Sequence, residues 1–311
     1  MNSYDTFDWA SYVKKNGYIQ SINNKEDAWK HWMTEGRMKM KEATFKSRHK
    51  HSVMPKTFFE KFYTIYITRH ICDDETSQYW RHNYKCIRKN YAHVNIVVID
   101  DESNLEYLDN DESICDVSFI KSEFPCRGEL LPFYYYHRDR PTPYAIFIHD
   151  SSFIHGNIHE LLNQTGFASF WSFTPLAWHD ELKDDMKDIL VNIPNGHKLL
   201  KLYENSISWS GCFGCICSIS IEYLDKMNAT FSFLDSLLPI INTRTRRMCI
   251  ERLLSLMHYT MTNKDIPFLF NDIWSWCNDT FKKSWGLTWN DYQLKYGRYR
   301  KHVVMKIWSG R

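Results

Sequence analysis

Apolar and polar positions follow two different rhythms along the chain. Near the start, apolar residues recur at helical spacing: Phe7, Trp9, Tyr12 and Val13, then Ala28, Trp29, Trp32 and Met33, with Asn16-Gly17 breaking the run between them. From about residue 62 the rhythm changes. Phe62-Tyr-Thr-Ile-Tyr-Ile-Thr68 is a β-rich run, Asp74 to Asn90 reads as a polar amphipathic helix, and Val94-Asn-Ile-Val-Val-Ile99 is an apolar strand ending in Asp100-Asp101. Strand, helix and strand in that order predict a βαβ unit with a right-handed crossover and a parallel sheet. The alternation continues with a third strand over Asp116 to Lys121, a helix over Gly128 to Arg138 and a fourth strand over Tyr144-Ala-Ile-Phe-Ile-His149. Beyond Ser151 the pattern loosens into aromatic-rich segments, Phe167 to Trp178 and Ser206 to Ile221, and a long helix from about Arg244 to Tyr259.

Between the two regimes, Met38 to Lys61 is rich in Lys, Arg and His, with Pro55 near its end, so residues 41–56 read as a linker. The expected organisation is a small all-α module and linker over residues 1–50, followed by one α/β domain over residues 55–311. In open α/β sheets, ligands bind at the carboxyl ends of the strands. The strand ends at 99 and 149 run directly into carboxylates, so the sheet is expected to place Asp100, Asp101 and Asp150 along one edge.

Composition narrows the function classes. A net charge of +2 does not suit nucleic-acid binding along the whole chain, so no nucleic-acid partner is expected. The charge is uneven, however: Phe281 to Arg311 carries eight Lys or Arg against Asp291 alone. That tail reads as a solvated basic face, as a cover for a pyrophosphate, or as a contact with an anionic membrane surface. Nine scattered cysteines suit reduced thiols in a cytoplasmic setting. The first residues lack the order of a signal peptide, and no apolar run is long enough for a transmembrane segment.

Several constellations carry chemistry, each with an ordinary structural alternative. Asp100-Asp101 can cap the next helix, or accept hydrogen bonds from a ribose or a base. His149-Asp150-Ser151 can be a turn, or can supply Asp150 and His149 to an Mg²⁺ or Mn²⁺ ion that bridges a diphosphate. Thr68-Arg69-His70 follows the first strand and is a poor substitute for a Gly-rich phosphate loop, which argues against a nucleotidyltransferase. Arg127-Gly128-Glu129 opens a helix and can form an anion site. Trp209-Ser-Gly-Cys-Phe-Gly-Cys-Ile-Cys217 contains C-x2-C-x-C without a second ligand pair, so a buried strand kinked by Gly211 and Gly214 is preferred to a zinc site. Its glycines and Trp209 would suit the approach of a sugar. Arg247 and Glu251 stand at i, i+4 on a helix, where they can form a surface bridge. Alternatively Glu251, or Asp180 elsewhere, serves as the general base of a transfer reaction.

Taken together, Ile87-Arg-Lys-Asn-Tyr91, Ile96-Val-Val-Ile-Asp-Asp101, Ser122-Glu-Phe124, Arg127-Gly-Glu-Leu-Leu-Pro132, Ile148-His-Asp-Ser151, Gly211-Cys-Phe-Gly214 and Cys249-Ile-Glu-Arg252 resemble glycosyltransferase-like proteins of giant DNA viruses. The resemblance spans residues 60 to 260. The front segment, with Phe7-Asp-Trp9, Ala28-Trp29 and Glu35-Gly36-Arg37, is similar to a module placed before such domains. The resemblance implies a GT-A-like fold, a mostly parallel sheet flanked by helices. It also implies transfer of a sugar from a nucleotide-diphosphate donor, UDP- or GDP-linked, to a protein, glycan or lipid acceptor. The resemblance carries the donor edge onto Asp100, Asp101 and Asp150; on the reading of the residues themselves, Thr68, Arg69, Arg127, His149 and Ser151 join the donor side, and Trp209, Gly211 and Gly214 form the acceptor or sugar side. The family often has Asp-x-Asp where this chain has His-Asp-Ser, which keeps a non-catalytic sugar- or protein-binding module as the alternative.

Overall fold

The computed structural model describes residues 7–16, 22–36, 57–108, 114, 116–162, 166–174, 179–205, 209–281 and 286–309. The chain forms a mixed α/β fold around a mostly parallel sheet. Its strands are β1 (Tyr63–Arg69), β2 (Asn95–Asp100), β3 (Val117–Lys121), β4 (Tyr144–His149), β5 (Ser152–Ile154), β6 (Phe167–Ser169), β7 (Ser172–Phe173), β8 (Gly211–Cys212), β9 (Cys217–Ser220) and β10 (Val304–Lys306). Six of them make the central sheet in the order β3-β2-β1-β4-β9-β6. β1 lies between β2 and β4 and is parallel to both, whereas β9 runs antiparallel to β4 and to β6.

The alternation of side chains along the strands sorts them into two cores. Tyr66, Ile99, Ala145 and Phe147 join one cluster with Leu131, Phe133, Tyr136 and Leu253. Ile65, Ile67, Val98, Ile146 and Ile148 join another with Trp80, Tyr84 and Ile87 from the opposite face. Successive strand residues point to opposite faces, so a central strand covered on both sides reads as a continuous apolar run. Each of these Ile side chains is fully buried and contributes roughly 1.5–3 kcal/mol of transfer free energy.

The βαβ reading holds at residue level. Helix Asp74–Asn90 starts at a capping box in which the Asp73 side chain accepts from the Thr76 amide at 2.7 Å. The helix expected over 128–138 begins instead as a 3₁₀ turn, Gly128–Leu130, and continues as Leu131–Asp139, because Pro132 is tolerated only in a first helical turn. The long helix runs from Arg244 to Thr262, closed by Asn263 in the left-handed conformation. Near the C-terminus, β10 pairs antiparallel with β5, joining Lys306 to Ser152 and Val304 to Ile154.

At the front, helices Trp9–Lys15 and Lys25–His31 enclose a small separate cluster of Phe7, Tyr12, Val13, Ile22, Ala28 and Trp32, with Trp9 and Trp29 packed against it. The Tyr12 hydroxyl and His31 Nδ1 lie 2.6 Å apart across it. The linker expected over 41–56 lies outside the described residues. Among the described residues, no helix is long and apolar enough to cross a membrane.

Candidate active site

The carboxyl ends of β1, β2 and β4 stand side by side, with Arg69 opposite Asp100 and Thr68 opposite His149. Above them opens a cleft of about 390 Å³. β1 supplies Thr68, Arg69 and the following His70, β4 and its turn supply His149, Asp150 and Ser151, and the turn after β2 supplies Asp101 and Glu102. Gly128 and Glu129, Arg247 of the long helix and Ser309 of the C-terminal segment complete the walls.

Asp150 is buried at the floor. Its amide donates to the Thr68 carbonyl at 2.9 Å, and its carboxylate accepts from the His70 amide at 3.3 Å. Beside it, the buried Thr68 hydroxyl has no hydrogen-bond partner among the described residues, which leaves a polar atom for a ligand. Ser151 Oγ accepts from Lys306 Nζ at 2.6 Å, and the Ser151 carbonyl accepts from the Ile307 amide at 3.0 Å. The basic C-terminal segment therefore does reach the site: β10 inserts a buried ammonium behind Ser151, and Ser309 faces the cleft.

The two carboxylates after β2 take different paths. Successive positions point to opposite sides, and Asp100 turns away from the cleft into a buried pair with Arg69, Nε to Oδ2 2.6 Å, under the Trp80 and Phe119 rings. The expectation that Asp100 shares the donor edge is thereby corrected. Asp101 does line the cleft, but its oxygens accept from the Cys126 and Gly128 amides, both at 2.8 Å. Burial raises its pKa against the lowering effect of those amides and of Arg247. Asp101 thus anchors the 126–128 turn.

That turn is not an open anion site, because Asp101 already takes the Gly128 amide. Arg127 is also corrected: its guanidinium donates to the Leu238 and Pro125 carbonyls and does not line the cleft. Arg247 occupies the position instead. It lies across Gly128, where an added Cβ would come within 2.9 Å of Arg247 Cδ, and it faces Glu129 at 3.4 Å and Asp101 at 3.9 Å. These two carboxylates, and not Glu251, are therefore the partners of Arg247 among the described residues.

Glu251 is nearly buried behind the cleft wall. It accepts from the Gly214 amide at 2.7 Å and lies 3.7 Å from the fully buried Arg252. Burial pushes its pKa up to about 7, opposed by Arg252, reinforced by Glu129, and opposed again by the Gly214 amide and Lys306. Gly214 has φ 62°, and an added Cβ would meet the His149 ring at 3.2 Å, so one glycine separates this carboxyl from a cleft residue.

The remaining acceptor-side residues are core. Trp209 is buried, stacks on Tyr203 and donates to the Leu202 carbonyl at 3.0 Å. At Gly211 the close approach is made by the Phe173 ring, which fills the space a Cβ would need, and not by a ligand. Cys212, Cys215 and Cys217 are buried free thiols, pushed upward in pKa by burial, and do not group as a ligand set among the described residues. The Asp180 side chain lies outside the described residues. Sequence reasoning did not assign His70, Glu102, Cys126, Gly128, Glu129, Arg247 or Ser309 to the donor side of the cleft, nor Lys306 to the place behind Ser151. Arg247 had a visible signal, a cation on the helix facing the strand ends.

No family model matches the sequence, and no curated protein matches it. Among solved structures, the bifunctional glycosyltransferase WbbM is similar over 86% of this chain and 48% of its own, at 11% identity and TM-score 0.42. The galactosyltransferase LgtC, solved with donor and acceptor sugar analogues, is similar over 78% of this chain and 86% of its own, at 9% identity and TM-score 0.35. Mouse xyloside xylosyltransferase 1 is similar over 78% and 96%, at 13% identity and TM-score 0.35. The chain spans 35% of the S. aureus TarS fragment and less than half of WbbM. WbbM, LgtC and xyloside xylosyltransferase 1 are glycosyltransferases by name, and at such scores the reading of the cleft rests on its own geometry.

Proposed function

We propose that the chain is a GT-A-type glycosyltransferase whose strand-end cleft holds a nucleotide-sugar donor, UDP- or GDP-linked, and passes the sugar to a protein, glycan or lipid acceptor. The observation that carries this reading is the convergence of β1, β2 and β4 on one cleft with Asp150 on its floor, the crevice in which open α/β sheets bind ligands. The resemblance read from the sequence over residues 60 to 260 points the same way.

The cleft walls hold four carboxylates, Asp101, Glu102, Glu129 and Asp150, against the Arg247 guanidinium, because the Arg69 guanidinium is paired with Asp100 away from the cleft. A diphosphate would meet net negative charge there unless a cation accompanied it. Mg²⁺ and Mn²⁺ are held by one or two protein ligands together with phosphates and water, so Asp150, with His149 beside it, fits that need. When bound, such an ion neutralises charge on the departing diphosphate. Thr68 Oγ1 and Arg247 would orient the phosphates, and Ser309 and the β10 segment would exclude water from one side.

Glu251 is the proposed base. As the acceptor oxygen bonds to the anomeric carbon, its proton would pass to Glu251 and the bond to the diphosphate would break. A group poised near pH 7 suits proton transfer at neutral pH. The alternative, a sugar- or protein-binding module without catalysis, is favoured by one feature: His149 stands where the family often has a carboxylate, while each Asp101 oxygen is engaged by a backbone amide. Donor hydrolysis separates the two. Release of nucleoside diphosphate from UDP- or GDP-sugars that falls in Asp150→Ala supports the enzyme, and tight donor binding without any release supports the module.

A further inference from the structure

A second constellation lies away from the cleft. His82 and Cys86 stand at i, i+4 on helix Asp74–Asn90, and His155 follows β5, so three metal-ligating side chains from two elements converge with all ligand atoms within 4.8 Å of one another. His82 Nε2 is 3.4 Å from Cys86 Sγ. The Tyr292 hydroxyl sits between the two rings, 2.6 Å from His82 Nε2 and 2.7 Å from His155 Nε2. We propose that His82, Cys86 and His155 form a binding site for a zinc-type divalent transition metal, with the fourth position taken by the Tyr292 oxygen or a water.

Ligand type and spacing both fit. Two imidazoles and a thiolate are the donors that zinc prefers, at about 2.0–2.1 Å to nitrogen and about 2.3 Å to sulfur. Tetrahedral angles then put neighbouring ligand atoms roughly 3.3–3.7 Å apart. The His82–Cys86 edge already has that length, and closing the longest edge needs a movement of about 1 Å. The i, i+4 spacing places both ligands on one helix face. The Tyr292 hydroxyl has one proton to donate, so one of the two Nε2 atoms donates to it, and a metal would displace that proton and this shared contact. Cys86 would bind as the thiolate, so metal binding releases its proton. The carbonyls of Tyr299 and His302 face His155 without a well-formed hydrogen bond to its buried Nδ1, ready to fix the ring once its Nε2 is committed.

A cleft lined by Gln78, Arg81, His82, Lys85, Tyr292 and Tyr296 reaches the site at His82. Its consequence is mechanical. Tyr292 packs with Phe153, Trp289, Tyr299 and Met305 in the cluster under β10, and β10 delivers Lys306 to Ser151. A metal here would fasten helix Asp74–Asn90 and His155 together beside the segment that closes one side of the cleft.

The test uses the full chain purified metal-free, titrated with Zn²⁺ and, separately, with Co²⁺ as a spectroscopic probe. The site predicts one tightly bound Zn²⁺ per chain, a thiolate-to-cobalt absorption band, an upward shift of Tm with Zn²⁺, and affinity that falls as pH drops. Cys86→Ser should remove the cobalt band, and His155→Gln should weaken Zn²⁺ at least tenfold, each with its metal-free melting compared with that of the parent. Because Cys72 and Cys126 are exposed, the band must also survive Cys72→Ser and Cys126→Ser. The proposal is overturned if the parent chain shows no stoichiometric Zn²⁺ and no thiolate band. It is equally overturned if folded Cys86→Ser and His155→Gln bind as the parent does.

Discussion

Glu251→Gln separates chemistry from folding, because the structure fixes what each should do. In the folded chain burial lifts the Glu251 pKa from 4.5 to about 7. A carboxyl whose folded pKa lies above its unfolded value favours the folded state while protonated, so this contribution is full below pH 4.5 and is lost as pH rises through about 7. At about 1.4 kcal/mol per pH decade, the interval corresponds to about 3 kcal/mol. Glutamine cannot ionise, and its carbonyl can still accept the Gly214 amide, so the variant should lie within about 1 kcal/mol of the parent near pH 5 and exceed it by up to about 3 kcal/mol near pH 8. Transfer should meanwhile fall roughly a hundredfold to ten-thousandfold, the usual worth of a positioned base. Urea unfolding at pH 5 to 8 and donor turnover on the same samples measure both. A variant that keeps the parent's pH slope refutes the burial argument, and one with full activity refutes the role as base.

Two further outcomes follow from the cleft walls. Lys306→Met removes a charge that lowers the Glu251 pKa, so the acid limb of the pH–rate profile should move upward; an unmoved limb would show that Lys306 does not sense Glu251. Gly214→Ala puts a Cβ 3.2 Å from the His149 ring at φ 62°, which should cost roughly 1–2 kcal/mol by thermal melting and impair transfer; unchanged melting would mean the turn can relax.

Much of the sheet was legible because its period-2 and period-3.6 patterns are strong and local. The runs at 62–68, 94–99 and 144–149 became β1, β2 and β4, and the edge with Asp150 followed from the rule for parallel strands. What was not legible depended on direction and distance. Asp100 and Asp101 are neighbours in sequence yet face opposite sides, and the partner of Asp100, Arg69, lies 31 positions away. Arg247 was visible as a helical cation but was paired with Glu251 by spacing, whereas tertiary packing hands it to Glu129 and Asp101. Trp209 has the composition of a sugar platform, and only burial shows it to be core. His82, Cys86 and His155 were not singled out in the sequence, because only the fold brings His155 to the helix that carries the other two.

The central claim is that the strand-end cleft binds a nucleotide-sugar donor through Asp150. Its most direct test is calorimetric titration of the full chain with UDP and GDP, with and without Mn²⁺, beside Asp150→Ala. The account predicts one-to-one binding of at least one of them, strengthened by Mn²⁺, and weakened at least tenfold in Asp150→Ala, which is about 1.4 kcal/mol. No binding of either nucleotide, or Mn²⁺-dependent binding that is unchanged in Asp150→Ala, would contradict it.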